Sequence, residues 1–206
     1  MSTVAVVGAC APNYYEWLPQ WVASIECLRR KPDDVVLCAW PDAPVPAWVR
    51  LVDPPQQDWA WAPWHNTAAR ASEGDYVAHI GVDDHYYPCA LDGADGWTAD
   101  VVVFGMEWQG GGRFGAWVPN RETIAAGDAD YVPCGSPIRR SVFDRVGGWH
   151  QHLFPAVDWA LWVGAATVGA SFRTTDRADF WYRAHDATPK VHEEDKVRMM
   201  AWAATL

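Results

Sequence analysis

At 206 residues, half of them hydrophobic, the chain suits one domain with a full core. A net charge of −10, from 16 basic against 26 acidic residues, disfavours non-specific nucleic-acid binding, which runs on phosphate neutralisation. No apolar run reaches the roughly 18 residues of a membrane span. Met1–Val4 carries no basic leader region, and five scattered cysteines form neither a Cys-x-x-Cys pair nor a disulfide framework. A cytoplasmic location with reduced, mostly buried thiols is the expectation. The 15 tryptophans are far above ordinary usage and are expected mainly in core and rim.

Residues 4–9 read as a buried first strand, and 10–14 as the loop that follows it. Trp17, Leu18, Trp21, Val22, Ile25 and Leu28 make one helical stripe, closed by the basic run Arg29–Lys31 and stopped by Pro32. Residues 34–40 are a second buried strand and 45–52 a weaker third, so a parallel sheet with right-handed crossovers is expected. An irregular loop over 53–63 leads to a short helix over 66–73. The apolar run 76–82 is the central strand, and 91–97 is loop or short helix. Segments 101–108 and 114–118 flank Gln109-Gly-Gly-Gly-Arg113 as a hairpin. Helices are expected over 139–146 and 158–168, the second capped by Asp158 and Gly169, and a final helix over 191–204. Short strands near 171–174 and 180–183 lie between them.

The central strand ends abruptly in Asp83, Asp84 and His85. A buried strand delivering carboxylates and an imidazole at its carboxyl end places hard ligands where open α/β sheets bind their ligands. Two adjacent acids repel, and a divalent cation neutralises them. A polar turn capping the strand fits the same residues.

The layout resembles the GT-A glycosyltransferases, most closely the family 2 type. Asn66-Thr-Ala-Ala-Arg-Ala-Ser-Glu-Gly74-Asp-Tyr76 resembles the family's Asn-x-Gly-x-x-x-Ala-x-Gly-x-Tyr helix, with His65 where Arg or Lys is usual and Ala68 for the inner Gly. Asp83-Asp84-x-x-x-Pro88 resembles the end of Asp-x-Asp-Asp-x-x-x-Pro, but Gly81 replaces the first Asp. Arg140-Ser-Val-Phe143-Asp-Arg-Val-Gly-Gly-Trp149, Val157-Asp158-Trp159-Ala-Leu-Trp162 and Trp181-Tyr-Arg-x-His185 resemble three later segments in the right order. The resemblance implies an α/β fold: a GT-A αβα sandwich, Rossmann-like, with a mostly parallel central sheet. It further implies one domain over 1–206, with a nucleotide-sugar half (1–88) and an acceptor half (89–206).

It implies a metal-dependent glycosyltransferase acting on a nucleotide-sugar, a UDP-sugar being the default donor and Mn²⁺ or Mg²⁺ the metal. Asp83 takes the metal position, with His85 and His185 as further ligands; imidazoles favour Mn²⁺. Asp158 resembles the base of an inverting mechanism, although an ordinary helix cap explains it too. Pro12, Asn13 and Asp42 fall on the nucleotide side, His65 and Asn66 along the donor, and Arg140 at the diphosphate. Turn and surface roles remain open for Asp42 and His185. The acceptor is not readable: a glycan, a protein, a small molecule or a modified DNA base all fit, with loop 59–64 and tip 110–113 facing it. The main rival is a non-catalytic nucleotide- or glycan-binding module with an eroded site, Gly81 being its support. A nucleotidyltransferase fits poorly, because 10–16 holds neither Gly nor a basic residue. A dinucleotide-binding dehydrogenase lacks its glycine pattern.

Overall fold

The computed structural model describes residues 1–114, 120–184 and 190–206. In chain order the elements are β1 (Val4–Ala9), a 3₁₀ turn (Pro12–Trp17), α1 (Leu18–Glu26), β2 (Asp34–Cys38), β3 (Arg50–Val52), α2 (Trp61–Ala71), β4 (Tyr76–His79) and β5 (His85–Tyr86). Then come β6 (Val101–Trp108), β7 (Arg113–Phe114), α3 (Arg121–Ala126), β8 (Ile138–Arg139), α4 (Arg140–Val146), α5 (Val157–Thr167), β9 (Phe172–Tyr182) and α6 (Glu193–Ala203). Nine strands form one sheet in the order β3-β2-β1-β4-β8-β6-β9-β5, with β7 beside β6. The longer ladders, β1 with β2 and β4, β2 with β3 and β6 with β9, are parallel; β8, β5 and β7 pair antiparallel.

Every residue of β1 is buried, because helices cover both faces of the sheet. Alternate residues divide between two cores. Val4, Val6, Tyr76 and Ala78 pack under Leu18, Trp21 and Ile25 of α1. Val7, Val36 and Val77 pack against Trp64 of α2, Phe143 of α4 and Leu161 and Trp162 of α5. The expected αβα sandwich with a mostly parallel sheet is what forms. Among the described residues no helix is long and apolar enough to cross a membrane.

Several boundaries differ from the sequence expectation. The helix expected over 66–73 begins at Trp61, with Ala60 as an N-cap that offers no side-chain hydrogen bond, so no sequence signal marked its start. The central strand stops at His79 rather than 82, because the chain turns at Gly81, where the Asp84 amide bonds the Gly81 carbonyl at 3.1 Å. The two short strands expected near 171–174 and 180–183 are one strand, β9, carried through a bulge at Asp176 (φ 59°). That bulge needs Gly105 opposite: a Cβ there would stand 1.9 Å from the Arg177 carbonyl oxygen. The expected second hairpin strand is described only at Arg113–Phe114; its remainder lies outside the described residues.

Candidate active site at the carboxyl edge of the sheet

Because β1, β2 and β4 run parallel, their carboxyl ends open on one edge of the sheet. The Ile80 amide makes the last ladder-like bond, to Val7 (3.1 Å), and Gly81 begins the turn. A Cβ on Gly81 would stand 2.8 Å from Asp83 Oδ1 and 2.9 Å from Asp84 Oδ2. The glycine thus clears the space on which two carboxyls converge. Asp84 is 4% exposed. Burial first, and then the Asp83 charge, push its pKa well above the carboxylate range; the Arg183 N–H, donated to Asp84 Oδ1 at 2.7 Å, pulls the other way.

A second carboxyl pair is Asp130 and Asp158. Asp158 is not the cap of α5, a place held by Ala156; it sits in the first turn, and its Oδ1 accepts the Trp159 N–H at 3.0 Å. Asp130, in the segment before β8, accepts the Val132 N–H at 3.4 Å. Burial raises both, and the Asp158 charge raises Asp130 further, so the pair as a whole ionises reluctantly. The Cys134 thiol reports how these groups gather. Burial pushes it well above the usual thiol range, and Asp84, Asp158, Asp130 and Asp83, in that order, add to the shift. Four carboxyls therefore lie within electrostatic reach of one side chain. The thiol itself stays protonated, which leaves it unsuited to nucleophilic attack.

The nucleotide-side residues fall on the same edge. Pro12 and Asn13 are exposed in the 3₁₀ turn after β1, and Asp42 is exposed after β2. The Tyr15 hydroxyl donates to Asp42 Oδ1 at 3.2 Å. Cys10, just past β1, is pushed up to about 12 by burial and, second, by Asp83, so β1 and β4 deliver their ends close together.

Other expected site residues are placed elsewhere. Asn66 is buried and clamps the segment after α4: its Nδ2 donates to the Trp149 carbonyl (2.6 Å) and its Oδ1 accepts the Trp149 N–H (3.0 Å). A Cβ on Gly148 would lie 2.4 Å from that Oδ1, which explains the Gly147–Gly148 pair. His65 is 2% exposed, hydrogen bonds the Trp61 carbonyl oxygen at 2.7 Å and stacks on the Trp61 ring at 4.1 Å. Polar atoms of both are engaged within the fold. Arg140 lies at the opposite, amino edge of β4. Its guanidinium donates to the Gly74 and Ala69 carbonyls and to Ser72 Oγ at 2.8–3.0 Å, closing the end of α2 at the edge away from the Asp83–Asp84 turn.

His85 is turned to α1, where its Nδ1 lies 3.0 Å from Gln20 Nε2, and it stacks on Trp181. That contact takes the nitrogen a ligating histidine would use to orient itself. His185 lies outside the described residues. Among the described residues no group of three or more His, Cys, Asp or Glu is placed to hold an ion alone. Two convergent carboxylates, Asp83 and Asp84, suit a divalent ion whose other ligands are substrate phosphates and water. Asp130 and Tyr15 are the residues that sequence reasoning left without a role, and Asp84 it read only as half of the acid pair that ends the central strand. Adjacency to Asp83 was a signal for Asp84, whereas nothing local marks Asp130.

No protein-family model and no curated protein sequence matches this chain. Solved structures do. S. aureus TarS (residues 1–349) in complex with UDP superposes with a TM-score of 0.70 at 15% identity, over 98% of this chain and 64% of that one. The same fragment with UDP-GlcNAc gives 0.72 at 15% identity, over 98% and 66%. The mannosyltransferase PcManGT from Pyrobaculum calidifontis, in complex with GDP-Man and Mn²⁺, gives 0.66 at 16%, over 90% and 58%. This chain is thus shorter than either, about two thirds of the TarS fragment. These likenesses define the fold: it is GT-A, the class of the glycosyltransferases that the motifs resembled.

Proposed function

We propose that the chain is a glycosyltransferase that moves a sugar from a nucleotide-sugar to an acceptor hydroxyl with inversion, and that it uses a divalent metal. The observation that carries this reading is the convergence of Asp83 Oδ1 and Asp84 Oδ2 on the space beside Gly81, at the carboxyl edge of a GT-A sheet. Asp83 and Asp84 would hold Mn²⁺ or Mg²⁺. Such an ion, when bound, supplies positive charge against the departing diphosphate. Pro12, Asn13 and Asp42, with Tyr15, line the side on which the nucleotide would lie. Asp158 is the base: it takes the acceptor proton as the acceptor oxygen bonds to the anomeric carbon, while the sugar–phosphate bond breaks and the nucleoside diphosphate leaves with the electron pair. Burial raises the pKa of Asp158, the direction that suits a base working near neutrality.

A UDP-sugar is the first donor to try, because TarS was solved with UDP-GlcNAc; a GDP-sugar is the second, because PcManGT was solved with GDP-Man and Mn²⁺. A hexosyl group is the expected cargo, and a cytoplasmic site the expected location. Nucleotide release from UDP-GlcNAc and GDP-mannose, measured with a panel of hydroxyl acceptors and with or without Mn²⁺, tests the proposal. Metal-dependent release that D158N abolishes, with nucleotide binding intact, supports it. Nucleotide binding without turnover on any donor supports instead the binding-module reading, which Gly81 favours.

A further inference from the structure

One residue holds both halves of the Asp83–Asp84 pair. Arg183 directly follows β9, and its backbone N–H donates to Asp84 Oδ1 at 2.7 Å. Its side-chain Nε donates to the Asp83 carbonyl oxygen at 3.0 Å. The guanidinium lies over the Trp17 ring at 4.0 Å and over the Trp181 ring at 4.8 Å. An arginine on an open surface samples many rotamers, and ordering it carries an entropic cost. Here two indoles and two directed hydrogen bonds fix it. Among the described residues both guanidinium hydrogen bonds end on neutral oxygens, so the arginine orients the turn whose Asp83 Oδ1 and Asp84 Oδ2 lie beside Gly81.

The second of those bonds starts a relay. Arg183 Nη2 donates to Gln20 Oε1 at 3.0 Å. A primary amide whose oxygen is taken by a guanidinium has one orientation left, so Gln20 Nε2 donates to His85 Nδ1 at 3.0 Å. His85, stacked on Trp181 with centroids 4.8 Å apart, is therefore an acceptor at Nδ1 and a neutral ring with its proton on Nε2.

We propose that Arg183 is a positioning residue: clamped between Trp17 and Trp181, it sets the Asp83–Asp84 turn for a divalent cation and, through Gln20, fixes the His85 tautomer. The cation-binding half of this rests on the glycosyltransferase reading; the tautomer half does not. The alternative is an arginine that only glues β9 to α1, which would affect stability and nothing else.

The test has two readouts on the full chain. In the first, Mn²⁺ is titrated at saturating UDP, and separately at saturating GDP, following the melting temperature. R183M is expected to need at least tenfold more Mn²⁺ than the wild type, and R183K to fall between, since lysine keeps the charge without the planar fork. W17L, which removes one face of the clamp, should shift the same way by less, and it serves if R183M folds poorly. A wild-type Mn²⁺ dependence in R183M overturns the positioning role. In the second, the His85 ring nitrogens are read by ¹⁵N NMR without ligand. The expected signature is the Nε2–H tautomer in the wild type and a mixture in R183M; an Nδ1–H ring or a mixture in the wild type overturns the relay. A wild type that shows the Nε2–H ring yet gives no Mn²⁺-dependent response to either nucleotide supports the relay, defeats the cation-positioning role, and counts against the glycosyltransferase reading.

Discussion

The two edges of the sheet treat charge in opposite ways. At the amino edge, cations and acceptors are matched. Arg50 pairs with Asp34, Arg30 with Asp33 and Arg139 with Asp100. Arg140 closes the end of α2, and Asp75 accepts from the Thr3 amide and hydroxyl. At the carboxyl edge four carboxyls crowd around Cys134, and Arg183 spends its guanidinium on neutral oxygens. Burial and then a neighbouring carboxylate raise Asp84 and Asp130 there instead of lowering them. Asp75 and Asp100, at the other edge, are lowered by hydrogen bonds to Thr3 and Ser171. The first pattern stabilises a fold; the second costs stability and is the kind that persists where function requires it.

The contrast can be broken most severely at Asp158. D158N should lower turnover on the order of a thousandfold while leaving the melting temperature and nucleotide binding nearly unchanged, as steady-state kinetics beside a melting curve would show. At the other edge, R140A should cost about 2 kcal/mol of stability in denaturant unfolding, since three carbonyl or hydroxyl acceptors lose a charged donor, and it should leave Mn²⁺-dependent nucleotide binding as it was. Removing a charge from the carboxyl edge should do the reverse. D130N should stabilise the chain at pH 7 by about 1 kcal/mol, a rise on the order of 2–4 °C. Because the folded pKa of Asp130 is raised, the acid costs stability wherever the unfolded chain would ionise it; the gap should shrink as pH falls below that raised pKa and vanish below the ordinary carboxylate range.

The smallest effect lies beneath the site, where His79 is 5% exposed and, among the described residues, neither ring nitrogen has a well-formed hydrogen bond, the Cys134 backbone being near enough only to offset burial in part. H79L should stabilise by about 1 kcal/mol at pH 7. Burial depresses the pKa of His79 well below 6.5, so the stability of a neutral histidine there is present above that value and lost as pH falls below it. The H79L advantage should therefore widen below pH 6.5, and pH-dependent unfolding of both proteins checks it.

Much of this was legible in the sequence, and the reason differs by residue. β1, β2 and β4 are continuous apolar runs buried on both faces, so their positions and parallel pairing follow from composition alone. The acids after β4 were visible because the run ends so sharply in them. What the sequence hides is pairing at a distance. Asp130 and Asp158 are brought together by the packing of α3 on α5, and no local pattern reports it. Arg140 and Asn66 sit in motif-like stretches and look like ligand contacts, yet they satisfy backbone groups 66 to 83 positions away. β8 is a two-residue strand, too short to leave a period.

The account turns on whether the carboxyl edge is a metal-assisted nucleotide site. The direct test is a thermal-shift measurement of wild type, D83N and R140A with UDP, GDP, dTDP and CDP, each with and without Mn²⁺. The account predicts that one nucleotide raises the melting temperature of wild type and R140A only when Mn²⁺ is present, and that D83N loses the response. No shift in the wild type with any nucleotide, or an undiminished shift in D83N, would contradict it.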